Sequence, residues 1–386
     1  MKFFSRIIFL AVVAAFFIPQ SSAQEIPYWK DLSVTGVNKE YPRTSFMSYP
    51  DRESASTFDY SASPWYLLLN GTWKFYFADA YHELPDNITD PATGISGWAD
   101  IKVPGNWEFQ GFGEAIYVNQ PYEFNTSDPV APVLPEENPV GIYRRDFEIP
   151  SAWLERDVFL HLAGAKSGVY VYVNGREVGY SEDSKDPAEF LINNYINAGR
   201  NVLTLKIFRW STGSWLECQD FFRVSGIERD VFLWSQPKTS IMDFTVTSTL
   251  DDIYRDGVFR LAVALKNSVG CPKDITVAYE LLDASDRVVA SGSQDVHMEG
   301  YRAAAAGFDA LLPNVAAWSA EKPNLYRLVM TVSEGGETLE VVPFRVGFRR
   351  IEIMESGELL NKKPMRLLYV NGQPIKLKGV NIHETS

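Results

Sequence analysis

Val169-Tyr170-Val171-Tyr172-Val173, then Asn174-Gly175, then Arg176-Glu177-Val178-Gly179-Tyr180, is the stretch that decides the fold. β-Branched and aromatic residues suit a pleated strand, and Asn-Gly accepts the positive φ of a type I′ turn, so the spacing predicts a two-residue β-hairpin. Working outward, alternating apolar and polar residues predict strands at Val158 to Leu162, Val202 to Phe208 and Asp230 to Trp234. The Pro-rich run from Asn119 to Pro139 reads as a loop. Helical periodicity is almost absent, so the body is predicted to be all-β, with a first sandwich over about residues 60–237.

Pro237-Lys238-Thr239 marks a boundary. Beyond it, strands at Phe259 to Leu265, Ile275 to Leu282 and Tyr326 to Val332 recur with turns between them, which suits a second sandwich of immunoglobulin size. The run Arg302 to Ala306 has a helix-like composition, but Gly307 and Pro313 confine it and it is read as a strand. From Gly347 the pattern changes: a strand at Arg350 to Met354, an Asn371-Gly372 turn, and a further strand from Ile375 to Val380 that leads into Asn381-Ile382-His383-Glu384.

The 386 residues carry 36 Lys+Arg against 49 Asp+Glu, and the net charge of −13 argues against nucleic acid or an anionic membrane as partner. Lys2 and Arg6, the apolar run Ile7 to Ile18 and Ser21-Ser22-Ala23 form the pattern of a secretory signal peptide over residues 1–23, so the chain is expected to be exported, periplasmic or extracellular. Gln24 in place of Cys argues against a lipid anchor, and no later segment is long and apolar enough to span a membrane. Cys218 and Cys271 are too few for a disulfide scaffold and read as two buried free thiols. His82, His161, His297 and His383 are scattered without a local zinc pattern, and Gly111-Phe112-Gly113 precedes no helix pattern, which removes a dinucleotide reading.

Three polar constellations stand out. Pro104 to Glu108 with Tyr117 to Tyr122 places amides between aromatic faces. Amides donate to and accept from hydroxyl-rich ligands, and aromatic faces match the C–H face of a sugar. Arg209 to Asp220 crowds Trp, Glu and Asp at the end of a strand, and His383-Glu384 lies at the end of the chain. Each also reads as a local network that merely orders its loop.

In order and spacing these motifs resemble glycoside hydrolase family 2, most closely its bacterial β-galactosidases. The stretches that carry the resemblance are Val103 to Trp107, Tyr117 to Tyr122, Asn138 to Arg145, Asn174-Gly175 with Val178 to Ser184, Pro187 to Phe190, and Arg209 to Val231. Trp318, Pro323 to Tyr326, Val346 to Arg349 and Gly379 to Glu384 continue it. The resemblance implies a jelly-roll sugar-binding domain with an N-terminal extension over 24–237, an immunoglobulin-like domain over 238–348, and the start of a truncated (β/α)8 catalytic barrel over 349–386. It further implies a secreted enzyme that removes terminal β-D-galactose with retention. The partner is then a β-galactoside oligosaccharide or glycan, and the complete enzyme is expected to be a homo-oligomer.

By the same resemblance, Asn119, Asp220 and His383 are substrate-binding, Asp220 also ligates sodium, and sodium and magnesium serve the complete enzyme. A carboxylate suits a hard cation and vicinal hydroxyls. Plain alternatives stand beside each role: Asn119 as a loop-fixing amide, Asp220 as a partner of Arg223 or Arg229, His383 as an ordering group. Glu217 and Trp210 are read as supporting or packing residues. Retaining glycosidases need two carboxyl groups roughly 5 Å apart, and in this family both are glutamates on late barrel strands. Glu352, Glu355, Glu358 and Glu384, the acids of the last segment, lack that context. The acid/base and the nucleophile are therefore expected beyond Ser386, and this chain alone is expected to hydrolyse nothing. The alternatives are another specificity of the family, β-glucuronidase or β-mannosidase, and a non-catalytic carbohydrate-binding module.

Overall fold

The computed structural model describes residues 26–117, 122–124, 128–218, 222–360 and 362–381. The predicted hairpin is the centre of the first sandwich. Strands Gly168–Val173 and Arg176–Ser181 pair antiparallel with Val173 opposite Arg176. Asn174 and Gly175 take φ of 52° and 78°, as the type I′ turn requires. Around it a seven-stranded sheet runs in the order Gly36–Val37, Arg176–Ser181, Gly168–Val173, Gly199–Phe208, Val140–Ile149, Gly71–Ala78, Ala99–Val103. A four-stranded sheet, Ala188–Leu191, Asp157–Leu162, Val231–Gln236 and Tyr66–Leu68, packs against it.

Strand Gly168–Val173 is buried on both faces, and its period-2 alternation says why. Val169, Val171 and Val173 enter the core between the sheets with Trp73, Phe75, Trp107 and Phe190. Tyr170 and Tyr172 point the other way, under the N-terminal segment. There Tyr28 stacks on Tyr170 at 5.6 Å and Trp29 on Phe208 at 4.9 Å. The outer face of this sheet is thus roofed by aromatic side chains from the first described residues.

The second sandwich pairs a three-stranded sheet (Thr239–Leu250, Gly257–Asn267, Ala303–Leu312) with a four-stranded one (Val288–Met298, Lys273–Leu282, Tyr326–Glu334, Glu337–Val346). The alanine run is a strand, paired with Gly257–Asn267 along its whole length. The two sandwiches share apolar packing: Phe46, Phe159, Phe232 and Trp234 belong to the same buried cluster as Ile241, Phe259 and Leu328. Asp157 of the first sandwich also receives Lys238 Nζ at 2.7 Å, Lys266 Nζ at 3.0 Å and Ser268 Oγ at 2.9 Å.

Two expectations are corrected at the C-terminal end. The strand at Arg350 to Met354 is longer, Ile351–Leu360, and pairs with a strand that the sequence did not reveal, Lys363–Val370. Ile375 to Val380 carries no strand: the Ile375 N–H donates to the Leu368 carbonyl at 3.0 Å, but no ladder among the described residues pairs with the segment. Residues 1–23, expected to be a signal peptide, and His383 lie outside the described residues. Among the described residues no helix is long and apolar enough to cross a membrane.

Candidate functional site

Two strands of only two residues, Ile116–Tyr117 and Phe222–Arg223, pair with Tyr117 opposite Phe222 and Ile116 opposite Arg223. This ladder joins the flanks of the two loop constellations picked out by sequence. Asn119 and Asp220 themselves lie outside the described residues, as does His383. On the ladder, Phe222 packs against Tyr117 at 5.1 Å and against Phe109 at 6.0 Å. Tyr117 is 50% exposed and Phe109 44%, so the pair offers ring surface to solvent beside the loops.

A second aromatic group gathers rings from the segments that flank the ladder. Tyr122 packs on Trp215 with ring centroids 4.4 Å apart, and Phe124 packs on Trp215 at 5.2 Å and Trp210 at 5.7 Å. The indole Nε1 of Trp215 is buried with no hydrogen-bond partner among the described residues. Asn138 clamps the loop entrance with both ends of its amide, donating to the Trp210 carbonyl at 2.8 Å and accepting from its N–H at 3.1 Å.

Glu123 is the electrostatic hub, and sequence reasoning missed it. It accepts from Trp210 Nε1 at 2.9 Å and Cys218 Sγ at 3.3 Å, and Arg223 Nε lies 3.8 Å away. Its two hydrogen-bond partners are 87 and 95 residues distant in sequence, so no local pattern exposed the cluster. Burial and the Glu123 charge push the Cys218 thiol up to about 12, which makes it inert at neutral pH. Lys166 was missed as well. It is buried, and desolvation pulls its ammonium down against the opposing pull of Glu228 and Glu123.

The loop from Ser211 to Cys218 is fastened by two more carboxylates. Glu182 accepts from Tyr180 Oη, Thr212 Oγ1 and the Gly213 N–H, each at 2.7 Å. Burial raises its pKa in spite of these donors. Glu217 accepts from the N–H of Ser184 at 2.9 Å and from its hydroxyl at 2.5 Å, in keeping with its reading as a supporting residue. Behind them Glu108 is buried, accepts from the Ser225 N–H at 2.8 Å and sits 3.9 Å from Arg209. Burial outweighs those contacts and raises its pKa.

These carboxylates serve protein donors and so build the loops rather than stand free as general acid or nucleophile. The same holds for a cation. Among the described residues no group of three or more His, Cys, Asp or Glu side chains could hold a metal ion. With Glu123, Glu182 and Glu217 occupied by protein donors, the described set does not by itself fit sodium or magnesium. Cys218 and Cys271 are free, but neither is fully buried as expected: Cys218 is half-buried, and Cys271 is exposed just before strand Lys273–Leu282.

Comparison with known proteins places the fold. The sugar binding domain of glycosyl hydrolases family 2 matches residues 67–237, and a second domain of glycosyl hydrolases family 2 matches residues 239–349. The chain is 35% identical over 367 residues to a β-galactosidase of Priestia megaterium, covering 94% of this chain and 34% of that protein. It is 37% identical over 370 residues to one from Aeromonas hydrophila, covering 92% and 34%. It therefore spans about a third of the length of the curated relatives it matches. Among solved structures, a β-glucuronidase of Bacteroides uniformis superposes with a TM-score of 0.66 at 18% identity, covering 82% of this chain and 35% of that one. A glycosyl hydrolase family 2 member from Bacteroides cellulosilyticus gives 0.64 at 18%, covering 82% and 39%. Two successive domain matches spanning most of the chain, on two sandwiches of the matching fold, show that this chain belongs to glycoside hydrolase family 2.

Proposed function

We propose that these residues form the sugar-binding and linker portion of an exported, retaining β-galactosidase. The observation that carries this reading is the 35% identity to a β-galactosidase along 94% of the chain. The likeness to β-glucuronidase structures, at 18% identity, speaks for the fold and not for the sugar.

In this reading Asn119, Asp220 and His383 contact the galactose hydroxyls. Asp220 also takes a sodium ion, which when bound adds a hard Lewis acid for a sugar oxygen. The pairing of Tyr117 with Phe222, two residues from Asn119 and Asp220 in sequence, supports this reading, and the neighbouring Tyr122–Trp215 rings supply the aromatic surface that suits a sugar's apolar face. The two carboxyl groups that cleave the bond, roughly 5 Å apart in a retaining enzyme, come from a barrel and not from the residues described. This chain alone is then inactive.

The test is a substrate panel on the complete gene product and on residues 24–386. Turnover of a nitrophenyl β-galactoside by the former and none by the latter is expected, with Asp220→Asn weakening both sugar binding and sodium dependence. Preferential turnover of a β-glucuronide or β-mannoside sinks the specificity, and wild-type Michaelis constants for Asp220→Asn at every sodium level sink the site. Export is read from cell fractionation, and a homo-oligomer from light scattering.

A further inference from the structure

The outer face of the four-stranded sheet is covered by the chain's own N-terminal segment, and between the two lies a space of about 490 Å³. We propose that this cavity is a second saccharide site, lined by residues other than the aromatic loop cluster, that takes one neutral pyranose-sized ring. Its volume falls in the range of small-molecule sites.

The floor of the cavity is built. His161 Nδ1 is bonded to Glu189 Oε1 at 2.8 Å, and its ring stacks on Phe232 with centroids 4.3 Å apart and planes 16° apart. Glu189 also receives Arg43 Nε at 3.1 Å, Arg43 Nη2 at 3.0 Å and the Trp234 indole N–H at 3.0 Å. The guanidinium neutralises the carboxylate, so this half-sealed assembly brings no net charge to the space.

Two polar groups are left over. With Nδ1 committed to Glu189, His161 Nε2 has no protein partner among the described residues and is not sealed from solvent. Tyr60 packs edge-on against the same Phe232 at 6.3 Å, lines the same cavity, and its hydroxyl has no protein partner among the described residues either. With its Nδ1–H given to Glu189, the imidazole offers Nε2 as an acceptor, and the phenol hydroxyl beside the same phenyl ring donates or accepts, a pair that suits an array of hydroxyl groups in a mainly apolar space.

The rim selects against anions. Glu40, Asp183 and Asp186 face the cavity with Lys39 and Arg229, and both cations are engaged, Lys39 by the Ser181 hydroxyl and Arg229 by the carbonyls of Ala163 and Lys185. The excess of carboxylates disfavours phosphates and uronic acids. The covering wall is fixed in place: the Glu40 N–H donates to the Glu189 carbonyl at 2.8 Å, and Thr44 donates to Asp243 at 3.0 Å and to the Phe244 carbonyl at 3.1 Å.

Calorimetric titration of the full chain tests the site, with methyl β-D-galactoside and methyl β-D-glucoside as probes and methyl β-D-glucuronide as the anionic control. Saturable binding of a neutral probe is expected, weakened about tenfold in Tyr60→Phe and His161→Gln, with no binding of the glucuronide. Tyr60→Phe removes a single oxygen, so its unfolding temperature, checked alongside, separates lost recognition from lost fold. The proposal is overturned by no saturable binding at millimolar probe, by undiminished affinity in folded Tyr60→Phe and His161→Gln, or by preference for the glucuronide.

Discussion

Glu340 of the second sandwich accepts a hydrogen bond from the hydroxyl of Ser48, in the N-terminal segment, at 2.9 Å, and both residues are fully buried. The same carboxylate takes the amide of Gln236 at 3.3 Å and the backbone N–H of Ile241, so one acid holds the N-terminal segment and the passage between the two sandwiches. Burial raises its pKa above the ordinary 4.5 in spite of these donors. A carboxyl that binds its proton more tightly folded than unfolded contributes fully below its unfolded pKa, and that contribution is lost as pH rises toward the folded value. Glu340→Gln is therefore expected to flatten the fall in melting temperature above pH 4.5, while Glu340→Ala, which leaves three donors unpaired, lowers stability by about 2–4 kcal/mol at any pH. Thermal melts from pH 4 to 8 check both, and an unchanged pH slope in Glu340→Gln counts against the assignment.

The Glu182 carboxylate makes a different kind of joint. Its three donors sit on Tyr180, Thr212 and Gly213, so Glu182→Ala frees the Ser211 to Cys218 loop from the hairpin sheet. We expect faster amide exchange confined to that loop, with a stability loss of about 2–3 kcal/mol. On the proposed β-galactosidase reading, the KM of the complete protein should rise more than its kcat falls. Unchanged exchange at residues 211–218 would show that the loop holds without it.

Gly179 stands where the short strand Gly36–Val37 pairs with the hairpin. A Cβ there would collide with the Val37 carbonyl oxygen and lie 2.9 Å from Phe190 Cε1. Gly179→Ala is expected to release the Gly36–Val37 strand and cost about 1–3 kcal/mol. Limited proteolysis should then cut near residue 37, and resistance equal to wild type would contradict this.

At the hairpin turn, Asn174 does more than tolerate a positive φ. Its amide donates to Tyr195 O and Asn201 Oδ1 at 2.8 Å each and accepts from the Val202 N–H at 2.9 Å. Asn174→Ala should cost about 1–3 kcal/mol and Asn174→Gly, which keeps only the φ, nearly as much. Denaturant midpoints compare them; a neutral Asn174→Gly would mean that backbone conformation alone matters.

The hairpin was legible in the sequence because its signal is local: two residues of turn chemistry between two alternating runs. Strands Gly199–Phe208, Gly257–Asn267, Lys273–Leu282 and Tyr326–Glu334 were legible for the same reason, down to the alanine run that Gly257–Asn267 captures as a neighbour, whereas Val140–Ile149, Thr239–Leu250, Val288–Met298 and Glu337–Val346 were not singled out. Strand Lys363–Val370 escaped because Pro364 interrupts its pattern, and proline within a run argues against a strand. The site was legible only in its segments. Asn119, Asp220 and His383 came from a family resemblance and lie outside the described residues. Glu123, Lys166, Phe109 and Phe222 gather through pairing between distant strands, which no window of sequence contains.

The Tyr117–Phe222 ladder is two residues long, yet it closes a loop of about a hundred residues that includes most of the seven-stranded sheet. The entropy of closing so long a loop is not repaid by two residues of pairing unless the sheet has already drawn the ends together. The order of events during synthesis follows: hairpin and sandwich first, the Tyr117–Phe222 ladder last. A lesion confined to the ladder would then reach the cell as a protein that is folded by bulk measures but has never joined the segments that flank Tyr117 and Phe222.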